Sequence, residues 1–340
     1  MKMNKFIKST LILLVGGFLT KVLGMLIKII TTRIIGTETL GLYMLIMPTF
    51  NLFITLAQGG LPISVSKIVS ENKKDNKKIV FSSIFISICT TFFLMILLIF
   101  ISPLIAKFLH NDSLSFPIMC IGLTLPFISL SGIIRGYFFG KENMFPHVLS
   151  NNFEQVVRII LNIIFLPLLS NYEPRVSVTF LILSNVISET TSIIILYFFL
   201  PRKIKITKEM LKPEKIIIKD VLNISIPTTG SRIIGTIGYF LEPIVLTSFL
   251  LMNGYTTNYI TYEYGVLTGY VMPLLLLPSF FTMAISQATL PVISNGYANN
   301  KIPYVKKKIK QSLLLSFAIG LFFTIILMIF PEIFMKLIYN

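Results

Sequence analysis

The chain has 340 residues, of which 54% are hydrophobic and 13% charged, and its mean hydropathy is +0.83. Soluble globular chains carry about 25% charged residues, so this one has too little charge to cover itself in water. The formal net charge of +16 does not indicate nucleic acid, because the Lys and Arg residues lie in short segments between apolar runs rather than on one soluble face.

Apolar stretches long enough to cross a bilayer recur along the whole chain, which predicts an all-α, polytopic membrane protein whose surroundings are lipid. Lys2, Lys5 and Lys8 precede an apolar run that continues past Lys21 without a small-x-small cleavage site, so it reads as an uncleaved first helix over 9–32. Eight further spans follow at about 41–66, 80–101, 114–139, 148–169, 176–199, 220–251, 260–290 and 311–333. Many contain proline, among them Pro48, Pro117, Pro126, Pro227, Pro243, Pro273 and Pro278, which membrane helices tolerate and which permit bends. Cys89 and Cys120 both fall inside apolar segments and imply no disulfide framework. There is no Trp, so an interfacial aromatic belt must come from Tyr and Phe.

Lys and Arg set the orientation. With the N-terminus inside, the inner segments hold 22 of them, and the outer side holds only Arg33, Lys107, Arg175 and Lys336. The positive-inside rule therefore predicts a cytoplasmic N-terminus and, with nine spans, an outer C-terminus.

The chain also repeats itself. Gln58-Gly-Gly-Leu61-Pro62 and Gln287-Ala-Thr-Leu290-Pro291 each close a span and precede a lysine-rich segment and another apolar helix. Six spans separate them, an even number, so the copies run in the same direction as parallel repeats. The expected organisation is a first six-helix lobe at 1–200, a basic linker at 201–219, and the first three helices of a second lobe at 220–340. Residues 112–200 have no counterpart downstream, which predicts a longer protein of six plus six spans.

The run LTKVLGMLIKIITTRIIGTETLGLYMLIMPTFNLFITLAQGGLPISVSKIVSE (19–71) resembles the opening of the stage V sporulation protein B family. So do IIRGYFFGKENMFPHVLSNNFEQVVRII (133–160), ISIPTTGSRIIGTIGYFLEP (224–243) and YGVLTGYVMPLLLLPSFFTMAISQATLPVIS (264–294). The resemblance implies the multidrug/oligosaccharidyl-lipid/polysaccharide exporter superfamily, with two helical lobes around a central cavity. It further implies a relation to flippases of lipid-linked polysaccharide and cell-wall precursors in the bacterial cytoplasmic membrane.

Enzyme signatures are absent from the sequence. There is no GxxxxGK[ST], and the one Gly-Lys pair, Gly140-Lys141, precedes Glu142. The three Asp (Asp75, Asp112, Asp220) are far apart in sequence, as are His110 and His147, so neither a catalytic group nor a metal or other cofactor is expected.

Charges inside spans carry the functional reading, since a Lys or Arg at mid-bilayer costs about 2.5–3.5 kcal/mol on insertion scales. Lys21 lies about 18 Å into the first span, and Lys28 is seven residues further, on nearly the same face. Arg232 has a similar depth in the span that opens the second half. Together they would suit an anionic lipid-diphosphate head group in a central cavity. Alternatively Lys28 snorkels outward and Arg232 pairs with a glutamate. Glu189, Glu242 and Glu263 are the candidates for cation or proton coupling, the property that would instead fit a multidrug exporter of the same superfamily. Glu154 and Arg158, four residues apart, read as a local ion pair. The expected function is outward translocation of a lipid-linked anionic glycan by alternating access, with spore cell-wall synthesis as a context; the alternatives are cation export and a non-transporting scaffold.

Overall fold

A computed structural model describes residues 5–201, 214–276 and 300–339, with isolated positions between 278 and 293. It is all helical among the described residues, as the composition predicts, and seven of its helices are long and apolar enough to cross a membrane. These are α1 (Lys5–Gln58), α3 (Asn76–Phe108), α4 (Ser115–Gly140), α5 (Phe145–Leu169), α6 (Pro174–Phe199), α7 (Lys215–Met252) and α10 (Ile302–Ile329). Shorter pieces connect them: α2 (Leu61–Ser70), α8 (Thr257–Gly265), a π-helical turn at Val266–Val271, α9 (Met272–Leu275) and α11 (Pro331–Tyr339).

The helix α1 contains the first two expected spans. Gly36, at φ 72° and ψ 171°, departs from helical geometry inside it, a conformation open to a residue without Cβ. The chain reverses there. Gly16 packs against Val148 at the start of α5, and Thr31 accepts a hydrogen bond from Asn162 further along the same helix. Beyond Gly36 the path returns, so that the Ala57 carbonyl accepts from Ser129 and Pro62 lies against Gly132 and Gly136 of α4. The end of α4 and the start of α5 are only a few residues apart, so the first half of α1 starts, and the second half ends, at the same side.

The Gln-Gly-Gly-Leu-Pro punctuation is a helix break. Gly59 and Gly60 both have positive φ (51° and 65°), and α2 starts at Leu61 with Pro62 in its first turn, where a missing N–H costs nothing. The lysine-rich segment that follows is shorter than the hydropathy suggests. Asp75 accepts from the Lys77 amide at 2.9 Å and caps α3, so Lys77 and Lys78 are already helical. The second copy of the motif, 287–291, lies outside the described residues apart from Thr289, as do residues 202–213 of the expected linker and much of the expected span at 260–290.

The core is centred on α4, which buries Ile118, Ile121, Leu125, Ile128 and Ile133. Apolar attraction alone does not hold helices together in lipid, so close packing and polar contacts must do so. Gly132, Gly136 and Gly140 recur at four-residue spacing and bring α2 against α4. A Cβ at Gly136 would run into the Pro62 carbonyl, and one at Gly140 would lie 2.6 Å from the Ser66 carbonyl oxygen. Ser87 donates to Ser129 at 2.7 Å and ties α3 into the same core. Outward-facing Phe92, Phe93 and Phe100 on α3, and Phe317 and Phe322 on α10, present apolar surface for lipid.

Gly136→Leu is therefore expected to lower stability by about 1–3 kcal/mol through overpacking. It should depress the melting temperature of the detergent-purified protein. Gly24→Ala, where an added Cβ meets nothing within 4 Å, should leave that temperature unchanged or slightly raised.

Candidate functional site

Residues of α1, α5, α6, α7 and α9 and of the π-helical turn line a cavity of about 310 Å3 between the first six spans and the segments that follow. The first part of α1 contributes Lys28, Thr31 and Thr32, and α5 contributes Arg158 and Asn162. Across from them, α7 contributes Tyr239 and Glu242, and the π-helical turn contributes Thr268. Arg158 is the fourteenth of the 25 residues of α5, which puts the cavity near the middle of the spans.

To either side of the cavity the same two parts of the chain touch. At the end where α2 lies, Leu61, Val65 and Ile68 pack with Ile217 and Val221 of α7. Lys74 pairs with Asp220, and Lys78 with Glu214 at 3.1 Å. At the other end the backbones touch directly: a Cβ on Gly265 would lie 2.7 Å from Gly41 Cα, and one on Gly269 would run into Leu40.

A buried ion-pair network borders the cavity on the side of the first six spans. Arg135 of α4 donates from Nη2 to Glu154 of α5 at 2.7 Å, to Glu189 of α6 at 3.5 Å and to Ser192 at 2.7 Å. Glu154 accepts a second guanidinium from Arg158 at 2.8 Å, and Arg158 also reaches Ser188 at 3.3 Å. The two carboxylates are 7% and 8% exposed, so each needs its guanidinium partner. Arg158 thus has a dual position, bonded into the network while lining the cavity.

The residues singled out from the sequence are placed as follows. Lys28 and Glu242 line the cavity. Lys21 and Arg232 are not among its lining residues; they are exposed, as Lys28 and Glu242 also are, and lie seven and ten residues before them on the same two helices. Glu189 is inside the network, and Glu263 is exposed on α8. The local pair Glu154–Arg158 is present. Two functional side chains were not among the candidates: Arg135, which the hydropathy reading assigns to an inner segment, and Arg158 as a cavity residue. Arg135 is five residues from the end of α4, whereas Glu154 is nine from the start of α5 and Glu189 ten from the end of α6, so the long side chain of Arg135 spans the difference in depth and no residue count along the sequence indicates the meeting.

Comparison with known proteins gives the family and the fold. The polysaccharide biosynthesis protein family matches residues 6–296. Stage V sporulation protein B of Bacillus subtilis (strain 168) is 36% identical over 351 residues, covering 100% of this chain and 68% of that protein. Lipid II flippase MurJ of the same organism is 22% identical, covering 91% of this chain and 61% of that protein. Among solved structures, the inward-facing conformation of a multidrug resistance MATE family transporter of the MOP superfamily has the same fold. It superposes with a TM-score of 0.71 at 16% identity, over 92% of this chain and 70% of that one.

Arg135→Met should leave Glu154 and Glu189 short of a counter-charge and cost about 3–5 kcal/mol, as breaking a buried pair usually does. Lys78→Met removes a pair whose members are 44% and 41% exposed and should change stability by less than about 1 kcal/mol. Denaturation of the two variants in the same detergent, compared with the unmodified chain, checks the contrast.

Proposed function

The chain belongs to the polysaccharide biosynthesis protein family, and from that premise we propose that it moves lipid-linked glycan precursors outward across the membrane, for cell-wall building in a sporulation context. The observation that carries this reading is the mid-membrane cavity with Lys28 and Arg158 on one wall. A phosphate or diphosphate that joins lipid to glycan is anionic, and a guanidinium presents paired donors suited to it. Lys21 and Arg232 lie about 10 and 15 Å nearer the α2 end than Lys28 and Glu242, and they serve as cationic steps on the route of the head group into the cavity. Transport proceeds by rocking one group of helices against the other, opening the α2–α7 closure or the Gly41–Gly265 closure in turn. The work is positional and electrostatic, with no covalent step.

Orientation follows from the lysines, which put the α2 end of the cavity in the cytoplasm. In a chain with Cys89 and Cys120 replaced by alanine, cysteines introduced at Lys73 and Lys301 should be protected from an impermeant thiol reagent outside intact cells. One at Tyr172 should be labelled readily. Labelling at Lys73 without labelling at Tyr172 would overturn the orientation.

Reconstituted in liposomes, Lys28→Gln and Arg158→Gln should each slow movement of a polyprenyl-diphosphate glycan by about tenfold or more, the value of a lost charge-assisted hydrogen bond. Each variant should still be recovered from membranes. If both move the lipid at the unmodified rate while Glu242→Gln abolishes efflux of a cationic dye, the chain is a cation exporter and this reading fails.

A further inference from the structure

The charges of the cavity are unequally satisfied. Glu154 and Glu189 are each bonded to a guanidinium. Glu242, by contrast, has no ion-pair partner among the described residues, and neither has Lys28. Both side chains line one cavity, from different parts of the chain, and both are exposed where Glu154 and Glu189 are buried. An exposed, unpaired carboxylate on a cavity wall is free to take its counter-charge from a ligand, whereas the carboxylates of the network are already occupied. The neutral neighbours Tyr239 and Thr268 can donate hydrogen bonds but bring no positive charge.

The cavity volume of about 310 Å3 is on the order of ten water volumes, room for a phosphate together with part of a sugar. With Lys28 and Arg158 committed to the phosphate, the carboxylate faces whatever the phosphate carries. We propose that Glu242 is a specificity-determining residue that binds a cationic amine on the glycan, so that the cavity selects a head group bearing a phosphate and an amine together. This rests on the transport reading above. Such a ligand spans both walls, the phosphate on α1 and α5 and the amine on α7. Its binding therefore favours the arrangement in which the two groups of helices are drawn together, which a purely anionic head group does not do through α7.

The test uses two polyprenyl-diphosphate lipids, one carrying glucosamine and one carrying N-acetylglucosamine, which differ in the charge on a single nitrogen. Flipping rates in liposomes and affinities in nanodiscs are measured for the full chain, Glu242→Gln and Glu242→Asp. The unmodified chain is expected to prefer the free amine by about tenfold or more, as a charge-assisted hydrogen bond would give. Glu242→Gln should bring the ratio of the two lipids near one, and Glu242→Asp should restore part of it. Equal handling of the two lipids by the unmodified chain overturns the inference while leaving the transport reading intact. So does a Glu242→Gln variant that slows both in equal proportion, the behaviour of an ion-coupling carboxylate. If neither lipid binds or moves, the transport reading falls and the inference with it.

Discussion

The guanidinium of Arg135 reaches two carboxylates on two neighbouring helices, and through them it fixes where α4, α5 and α6 lie relative to one another. In lipid each of these charges alone would be prohibitive, so the helices must meet at the depth where the charges meet. Glu154 is shared between Arg135 and Arg158, which holds the second guanidinium at the edge of the network. From there Arg158 borders the cavity. The network therefore does two things at once: it sets the register of three spans, and it delivers a positive charge to the cavity wall at the cost of a carboxylate kept behind it.

Around this charged centre the packing is of a different kind. Gly132, Gly136 and Gly140 let α2 approach α4 closely, and hydroxyl contacts such as Ser87–Ser129 satisfy polar groups without bringing charge. These contacts lie within the first six spans. The seam from them to α7 runs along the helix: Gly60 lies against Ser225 and Thr228, the hydroxyls of Thr55 and Thr236 meet at 3.5 Å, and Phe240, Ile244 and Leu246 pack on the main apolar core, with the cavity beside this seam. The contact at the α2 end is apolar with two solvent-accessible ion pairs, each of small worth, whereas that between Gly41 and Gly265 is backbone against backbone.

Several devices for bending are already in the chain. Gly36 turns α1 back on itself, Gly59 and Gly60 break it from α2, and the π-helical turn at Val266–Val271 borders both the cavity and the contact of Gly265 with Gly41. A π-turn inserts an extra residue into the helical path, and such turns are frequent at functional sites. Thr268, which lines the cavity, lies within it.

The sequence by itself determined the all-helical class, the approximate limits of most of the described spans, the helix break at Gly59–Pro62 and the family resemblance. These are local or cumulative properties: transfer free energy sums along a stretch of residues, and glycine and proline act on their own backbone. It also marked Lys21, Lys28, Arg232, Glu189 and Glu242 as charges within spans. What it did not decide is which way each charge points. Lys21 and Lys28 lie on one helix and nearly one face, yet only Lys28 lines the cavity; Arg232 and Glu242 share α7 in the same way. Arg135 reads as an inner-side residue until α5 and α6 are set beside α4. The tertiary structure decided these matters because a charge in a membrane is stabilised by its partner, and the partner is supplied by a helix tens of residues away whose depth and rotation no local pattern records.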